Sequence, residues 1–538
     1  MVNHNRRVTV NKAIMTRLIA GIALTLIASL AWAAAPGDPV KIDAGLINGV
    51  SGASAGIRVY AGIPFAAPPV GNLRWKPPQP VKPWEGVRDC SAFGPWCPQP
   101  KPMLGKELGK LSEDCLYLNV WTSAKNYEAR LPVMFWIHGG GCTTGSGGSS
   151  YYNGEALAKQ GVVVVTINYR LGPFGFFAHP LLSQESEHGV SGNYGLLDQI
   201  AALQWVQRNI ARFGGDPNCV TIFGESAGSA SVCRLMVSPL AKGLFHRAIA
   251  ESGGAEGRDR HLKQDVGRVE AMEKIGQRIA TKLGCDKAPD VLAALRAKSA
   301  DELLSASDPA QGLFGKGTKF GWVVDGWVLP DDPAALFAAG KQQAVPFIAG
   351  TNADEGTIFL QQLPTLKLMA YRFMVRAAFR DQAPEYMALY PVTRDDEVRG
   401  ALSRLTTIGA FVYAARTDAR AQAKIGAKTF MYHFKRVPPY VRGREYGAFH
   451  SAEIGYVFGN LLPMGTFEPL DKGLSRTMSA CWVQFAKTGD PNGPGLPQWP
   501  AYDAVGDKYL EFGDQVKVGA GLYREACDLL AQVRGGGF

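Results

Sequence analysis

The chain has 538 residues, of which 46% are hydrophobic and 19% are charged, and its formal net charge is +10. This composition is ordinary for a globular enzyme and provides enough apolar material for a large buried core. No dense run of lysine and arginine with interleaved aromatic residues occurs, so nucleic-acid binding has little support. No CxxC or HExxH pattern occurs either, which argues against a zinc site, and we expect no cofactor.

The first 33 residues have the pattern of a secretory signal peptide. Basic residues precede the apolar run Leu18–Leu30, and Ala31-Trp32-Ala33 supplies the small residues of a cleavage site. The apolar run is shorter than the ~20 residues that a membrane-spanning helix needs. We therefore expect residues 1–33 to be removed, leaving a secreted or periplasmic protein with no stable membrane span. The sequence does not indicate the oligomeric state. A retained N-terminal anchor is the alternative.

Four apolar runs rich in β-branched residues predict buried strands. The runs are Val133–Ile137, Val162–Ile167, Val220–Phe223 and Phe347–Ala349. Between the second and the third run, apolar residues recur at helical spacing over residues 196–213. The order of strand, helix and strand predicts a parallel sheet with crossover helices.

Helical patterns become prominent beyond about residue 260. The first predicted helix has one apolar face, formed by Val266, Val269, Met272, Ile275 and Ile279. We expect residues 34–538 to form a single α/β domain, with helical insertions at about 255–345 and 365–445.

The predicted strand Val220–Phe223 ends directly before a GxSxG pattern at residues 224–228, and the predicted helix Ala230–Met236 follows. A serine between a strand and a helix lies on a sharp, strained turn, which closes only with glycines two positions to either side and which exposes Oγ above the sheet. The helix N-terminus beneath this serine favours developing negative charge. Ser226 is therefore the candidate nucleophile, and a plain glycine-serine turn is the alternative.

A second glycine motif, His138-Gly139-Gly140-Gly141, follows the predicted strand that ends at Ile137. Attack of a serine on an ester creates a tetrahedral oxyanion, and hydrogen-bond donors must already point at it. Because glycines let backbone N–H groups approach closely, we assign the N–H groups of Gly140, Gly141 and Ala227 as the oxyanion hole. A phosphate-binding loop is the rival, but no Lys-Ser or Lys-Thr follows the glycines.

Two histidines lie far enough along the chain to act as the base, since α/β-hydrolases place serine, acid and histidine in this order. His433 lies in a predicted strand, and we expect it to be a packed residue. His450 lies in a loop that enters a helix, where catalytic groups are often found. For the acid, Asp354 and Glu355 both follow the strand Phe347–Ala349, and chemistry alone does not separate them, because an aspartate is also a natural helix cap.

Taken together, the motifs resemble those of the type-B carboxylesterase family, which includes bacterial para-nitrobenzyl esterases, liver carboxylesterases and cholinesterases. The resemblance spans nearly the whole chain beyond the leader. The matching segments are residues 62–78, 112–119, 168–172, 191–195 and 213–229. The resemblance implies an α/β-hydrolase fold, with a central, mostly parallel sheet flanked by helices and helical insertions.

The resemblance also implies the chemistry. It assigns Glu355 as the acid and His450 as the base of a Ser-His-Glu triad that hydrolyses small carboxylic esters through an acyl-enzyme. Two alternatives stay open. One is a non-catalytic adhesion member of the fold, against which the intact Ser226, Glu355 and His450 argue. The other is an amide or carbamate hydrolase with the same triad, because the leaving group is selected by the shape of the pocket.

Further roles follow from the resemblance alone. It implies that Ser252 hydrogen-bonds the acid, and that Glu225 and Glu453 form a buried pair of glutamates near the triad. It also implies a disulfide between Cys97 and Cys115, which an exported protein permits.

The chain departs from the family pattern at two cysteines. Cys142 stands where an aromatic residue commonly follows the glycine triplet. The change would open the pocket or expose a thiol, but we favour a small buried cysteine. Cys285 resembles half of a second family disulfide, yet Ala294 occupies the approximate partner position, so we do not expect this bridge.

Overall fold

The computed structural model describes residues 37–101, 109–257, 259–461 and 466–535. The predicted signal peptide, residues 1–33, lies outside the described residues. The strands are β1 (Val40–Ile42), β2 (Gly45–Asn48), β3 (Val50–Ser51), β4 (Arg58–Pro64), β5 (Val87–Asp89), β6 (Tyr117–Thr122), β7 (Leu131–Ile137), β8 (Val163–Ile167), β9 (Gly215–Glu225), β10 (Arg247–Glu251), β11 (Arg260–His261), β12 (Val323–Val324), β13 (Phe347–Asn352), β14 (Thr429–Phe434), β15 (Lys508–Phe512) and β16 (Val516–Ala520). The α-helices are Glu155–Ala158, Gly172–Gly175, Pro180–Glu185, Tyr194–Asn209, Ala227–Val237, Met272–Lys282, Val291–Arg296, Ala300–Ser307, Pro333–Ala338, Leu368–Phe379, Ala383–Leu389, Val398–Thr406, Tyr413–Lys424, Val441–Tyr446, Ile454–Val457, Pro469–Thr488 and Arg524–Arg534. A π-helical segment, Thr407–Val412, joins two of these helices.

The central feature of the fold is an eleven-stranded sheet. Its strand order is β16-β15-β14-β13-β10-β9-β7-β8-β6-β4-β3. The seven strands from β15 to β8 in this order run parallel, and the flanking strands at either edge run antiparallel. Helices cover both faces of the parallel part, so its strands are buried on both sides and read as continuous apolar runs. The expected α/β-hydrolase sheet is therefore present.

The four predicted strands are confirmed within β7, β9 and β13 and as β8, which begins one residue later, at Val163. The predicted helix after β8 is confirmed as the α-helix Tyr194–Asn209, which a 3-10 turn extends to Phe213. The predicted helical face is wrong at its start. Val266 and Val269 pair with each other across a tight turn that contains Gly267 at φ +59°, and the helix begins only at Met272. Two valines spaced three apart fit a turn as well as a helix, so spacing alone did not distinguish them.

The carboxyl ends of the parallel strands bring distant segments to one edge of the sheet. Glu225 at the end of β9 lies beside Glu251 at the end of β10, and Glu251 lies beside Gly350 of β13. On the other side of β9, Ile137 of β7 lies beside Gly224. Ligands of α/β folds bind at this edge. In the described part of the chain, no helix combines the length and the apolar character needed to cross a membrane.

Candidate active site

Ser226 lies at the turn between β9 and the helix Ala227–Val237, with φ 58° and ψ −121°. Left-handed backbone is costly for a residue with a side chain, so this turn is strained. The glycines on either side are required by a close approach of β7. A Cβ on Gly224 would lie 2.6 Å from the carbonyl oxygen of Ile137, and a Cβ on Gly228 would lie 2.0 Å from it. The two glycines therefore let the turn close against β7 with the serine at its apex.

The loop after β7 lies directly beside this turn, since a Cβ on Gly139 would lie 3.0 Å from Cβ of Ser226. Gly140 and Gly141 have φ +101° and +63°. Within the described residues, the N–H groups of Gly140, Gly141 and Ala227 donate to no protein acceptor. Ala227 is the first residue of its helix, where an N–H has no partner within the helix. All three donors assigned from the sequence are thus free to bind an oxyanion.

His138 supports this loop rather than exchanging protons. Its ring is fully buried and stacks on Tyr169 with the ring centroids 4.4 Å apart. The Tyr169 hydroxyl donates to the His138 carbonyl oxygen at 2.9 Å. Burial lowers the pKa of His138 to about 4, so the ring is neutral at physiological pH.

The loops after β13 and β14 bring Glu355 and His450 together in a buried pair. Nδ1 of His450 lies 2.6 Å from Oε2 of Glu355, and the backbone N–H of Asn352 donates to the other carboxylate oxygen at 2.7 Å. The neighbouring Asp354 instead accepts the backbone N–H of Ala448 at 2.8 Å. Of the two acids that chemistry left open, Glu355 is the one that contacts the histidine, while Asp354 ties the two loops together.

The other ring nitrogen faces a second carboxylate. Nε2 of His450 lies 3.1 Å from Oε1 of Glu225, the residue before the candidate nucleophile. No hydrogen bond joins Ser226 Oγ to the ring in the described structure. Catalytic hydrogen bonds are often absent or long without substrate. The histidine therefore rests between two glutamates.

The charges around His450 determine its protonation. Burial on its own disfavours the charged ring, but the carboxylates of Glu225 and Glu355 outweigh burial, and the pKa of His450 is raised above 6.5. Burial raises the pKa of Glu225, which the His450 charge partly opposes, and burial raises the pKa of Glu453 well above its usual range, with the nearby glutamates adding to the shift. The protonation of each buried carboxylate at the site therefore depends on the protonation of its neighbours.

The structure corrects the expected partner of Ser252. Its hydroxyl donates to Oε1 of Glu453 at 3.5 Å rather than to the acid. Oε2 of Glu355 instead faces His450, and its Oε1 accepts the Asn352 N–H. The Asn352 side-chain amide donates to the other oxygen of Glu453. Glu225 and Glu453 are both buried, and they lie close to the candidate triad, as the resemblance implies.

Three residues at the site escaped sequence reasoning. Phe359 and Phe411 contact the His450 ring, with ring centroids 5.0 and 4.8 Å away. Ser451 donates its hydroxyl to Oε1 of Glu225 at 2.6 Å. The two phenylalanines belong to no motif, and Phe411 lies in the π-helical segment. For Ser451, the only signal available was its position next to His450.

His433 and the cysteines behave as expected. His433 is buried in β14, and burial lowers its pKa to about 3, in keeping with a packed residue. Cys97 and Cys115 form a disulfide. Cys142 is buried at 1% exposure, so the departure after the glycine triplet exposes no thiol. Cys285 is unpaired.

Known proteins are similar to this chain over most of its length. The family model described as the carboxylesterase family matches residues 37–530. The fumonisin B1 esterase of Sphingopyxis macrogoltabida is 40% identical, covering 91% of this chain and 89% of that protein, and the liver carboxylesterase of Sus scrofa is 38% identical, covering 91% and 93%. A solved PNB esterase structure superposes with a TM-score of 0.78 at 35% identity, covering 91% of this chain and 99% of that one. The chain therefore belongs to the carboxylesterase family and is a carboxylic ester hydrolase.

Proposed function

We propose that the chain cleaves carboxylic esters with a triad of Ser226, His450 and Glu355 through an acyl-enzyme. The observation that carries this proposal is the backbone of Ser226, at φ 58° and ψ −121° on a strand-to-helix turn. Its support comes from the 2.6 Å contact between His450 Nδ1 and Glu355. A strained, partly exposed serine beside a buried histidine-carboxylate pair is the arrangement that activates a hydroxyl for attack.

In the first half-reaction, Nε2 of neutral His450 takes the Ser226 proton while Oγ attacks the ester carbonyl carbon. The carbonyl π electrons move to oxygen, and the oxyanion accepts hydrogen bonds from the N–H groups of Gly140, Gly141 and Ala227. Glu355 holds the ring in place and stabilises its charged form. Collapse of the tetrahedral intermediate breaks the ester C–O bond, and the alcohol leaves with the proton from His450.

In the second half-reaction, water replaces the alcohol. His450 takes one proton from the water as its oxygen attacks the acyl carbon, and the same three N–H groups bind the new oxyanion. The bond to Ser226 Oγ then breaks, Oγ recovers the proton from His450, and the carboxylic acid departs. Neutral His450 and free Ser226 are regenerated.

For this cycle to begin, Nε2 must leave Glu225 and face Ser226. In the resting structure Nε2 lies 3.1 Å from Glu225 Oε1. Phe359 and Phe411 pack against the ring and confine its movement. A small reorientation of the ring on substrate binding makes the serine contact while keeping the Nδ1 contact to Glu355.

We propose small-molecule esters as the substrates. The relative at 40% identity is named for fumonisin B1, and others are named for liver carboxylesterase activity. Fumonisin B1 therefore belongs in a substrate panel beside short-chain nitrophenyl esters. A matched nitroanilide in the same panel measures whether amides are also cleaved.

We further propose that residues 1–33 export the protein to the periplasm or the medium. The basic residues, the apolar run and the Ala31-Trp32-Ala33 site motivate this. The Cys97–Cys115 disulfide fits an oxidising compartment. N-terminal sequencing of the exported protein should begin at Ala34, and recovery of the full-length chain in the membrane fraction would contradict cleavage.

Burst kinetics with 4-nitrophenyl butyrate test the mechanism. We expect one equivalent of nitrophenol per enzyme in the first turnover, and no burst with Ser226→Ala. Ser229→Ala is the matched control, because the Ser229 hydroxyl is buried without a partner in the described structure and lies three residues away. Full activity in Ser226→Ala, or equal losses in both variants, would overturn the assignment.

A further inference from the structure

Ser451 holds an unusual backbone conformation directly after the candidate base. Its φ is +75°, in the left-handed region that favours glycine. A serine here costs strain, and strain in a folded protein persists where surrounding contacts enforce it. The Ser451 hydroxyl makes such a contact, since it donates to Oε1 of Glu225 at 2.6 Å.

That carboxylate oxygen is shared. The same Oε1 atom of Glu225 lies 3.1 Å from Nε2 of His450. Ser451 and His450 therefore meet at one acceptor, although they are neighbours in the chain. The nitrogen that takes the Ser226 proton in the proposed mechanism thus lies beside an oxygen that also accepts the Ser451 hydroxyl.

We infer that Ser451 is a positioning residue that limits how strongly Glu225 holds His450 Nε2, and so sets the pH at which the ring becomes free to serve Ser226. The inference rests on the proposed function for its kinetic readout only. It goes beyond the triad, because it assigns a role to a residue outside the triad, whose hydroxyl contacts Glu225.

The direction of the effect follows from the charges. Without the Ser451 hydroxyl, the full acceptor capacity of Oε1 goes to His450, which favours the protonated ring. If the proton resides on Glu225 instead, the loss of a donor to the carboxylate also favours proton uptake. Both routes make the Glu225–His450 pair take up its proton at higher pH, so removing the hydroxyl should narrow the active range from the acid side.

Several other titratable groups surround the Glu225–His450 pair, each on an element packed against it. Three carboxylates interact electrostatically with Glu225 or His450: Glu355 in the loop after β13, Glu251 in β10, and Glu453 directly before Ile454. The phenol groups of Tyr152 and Tyr432 also lie within electrostatic reach of Glu225. All of these stay in place when only Ser451 changes, so a shift on its substitution reports on its hydroxyl.

The experiment compares Ser451→Gly with Ser451→Ala in the full protein. Glycine relieves the strain at φ +75°, whereas alanine keeps it, and both remove the hydroxyl. Two readouts are followed against pH: the acid limb of kcat/KM, and the ¹³Cε1 chemical shift of His450 in histidine-labelled protein. The chain has 8 histidines, so a His450→Gln variant is enough to assign the signal. We expect both variants to move both midpoints upward by about one pH unit.

A second background separates a positioning role from a structural one. Glu225→Gln removes the shared carboxylate, so Ser451→Gly in that background should produce no further shift. A shift of the midpoints in Ser451→Gly but not in Ser451→Ala would assign the effect to backbone strain and overturn the inference. Unchanged midpoints in both variants would also overturn it. The ¹³C titration is made without substrate, so a protein that fails to hydrolyse esters refutes the proposed function while leaving this test intact.

Discussion

The two halves of the active site are built in different ways. The nucleophile half, formed by the loop after β7 and the turn after β9, is fixed by backbone: Gly224 and Gly228 leave room for the carbonyl of Ile137, and free N–H groups line the site. The base half, formed by the loops after β13 and β14, is fixed by side chains: Glu355, His450 and Glu453 are held by buried hydrogen bonds.

This difference determines what each half tolerates. A backbone-built half fails when a Cβ is added where no space exists. A half built from buried charges fails when one partner of a pair is removed, because the remaining charge stays buried without compensation. The first half should therefore respond to steric changes and be indifferent to pH, whereas the second should respond to charge and to pH.

The largest difference is expected between two neighbouring acids in the base half. Glu355→Gln removes the charge that stabilises protonated His450, and if the proposed triad acts, kcat should fall by about 10⁴-fold, as in triads that lose their acid. Asp354→Asn keeps an oxygen for the Ala448 N–H, and its kcat should stay within about tenfold of the wild type. Steady-state kinetics on a nitrophenyl ester check both, and a larger loss in Asp354→Asn would assign the acid to Asp354.

In the nucleophile half, two adjacent glycines provide a matched pair. A Cβ on Gly140 would lie 2.1 Å from the Thr144 carbonyl oxygen, whereas a Cβ on Gly141 would meet nothing within 4 Å. Gly140→Ala should displace an oxyanion donor and lower kcat by about 10²–10³-fold. Gly141→Ala should cost no more than about tenfold, from its left-handed backbone. Equal losses would mean that room around the loop does not control the donors.

The pH profile separates the two halves further. In the proposed mechanism His450 must be neutral to accept the Ser226 proton, and its pKa is raised above 6.5 because Glu225 and Glu355 outweigh the effect of burial. As the pH falls through this raised pKa, kcat/KM should decline with a midpoint above the reference value of about 6.5. A rate profile between pH 5 and pH 9 checks this, and a midpoint below 6 would show that burial dominates.

The smallest effect is expected at Ser252. Its hydroxyl reaches Glu453 at 3.5 Å and does not contact Glu355. A hydrogen bond of this length is weak, so Ser252→Ala should lower kcat/KM by less than about threefold. A loss near that of Glu355→Gln would restore the direct contact to the acid that the family resemblance implies.

The same contrast explains how much of the molecule the sequence predicted. The nucleophile half depends on local patterns. The sequence therefore predicted the strand before Ser226, the glycines around this serine and the glycine loop after Ile137. The base half depends on contacts between residues far apart in the chain. Chemistry left Asp354 and Glu355 open, because which of two adjacent side chains points at His450 depends on the turn between them.

Other features lacked any local signal. Phe411 reaches His450 from 39 positions earlier in the chain, and ordinary apolar spacing does not distinguish a residue that contacts the site from one that fills the core. The sequence does not predict the left-handed backbone at position 451, because the residue there is serine and not glycine, the usual marker of that conformation. Val266 and Val269 gave a false signal, since their spacing is typical of a helix but they lie in a tight turn.

The central claim is that Ser226 is the nucleophile and that His450 activates it. The most direct measurement is peptide mapping by mass spectrometry after reaction with diethyl 4-nitrophenyl phosphate. We expect one diethylphosphoryl group on the peptide that contains Ser226, and none in His450→Ala under the same conditions. Modification of a different residue, or unmodified Ser226 in protein that still hydrolyses nitrophenyl esters, would contradict the account.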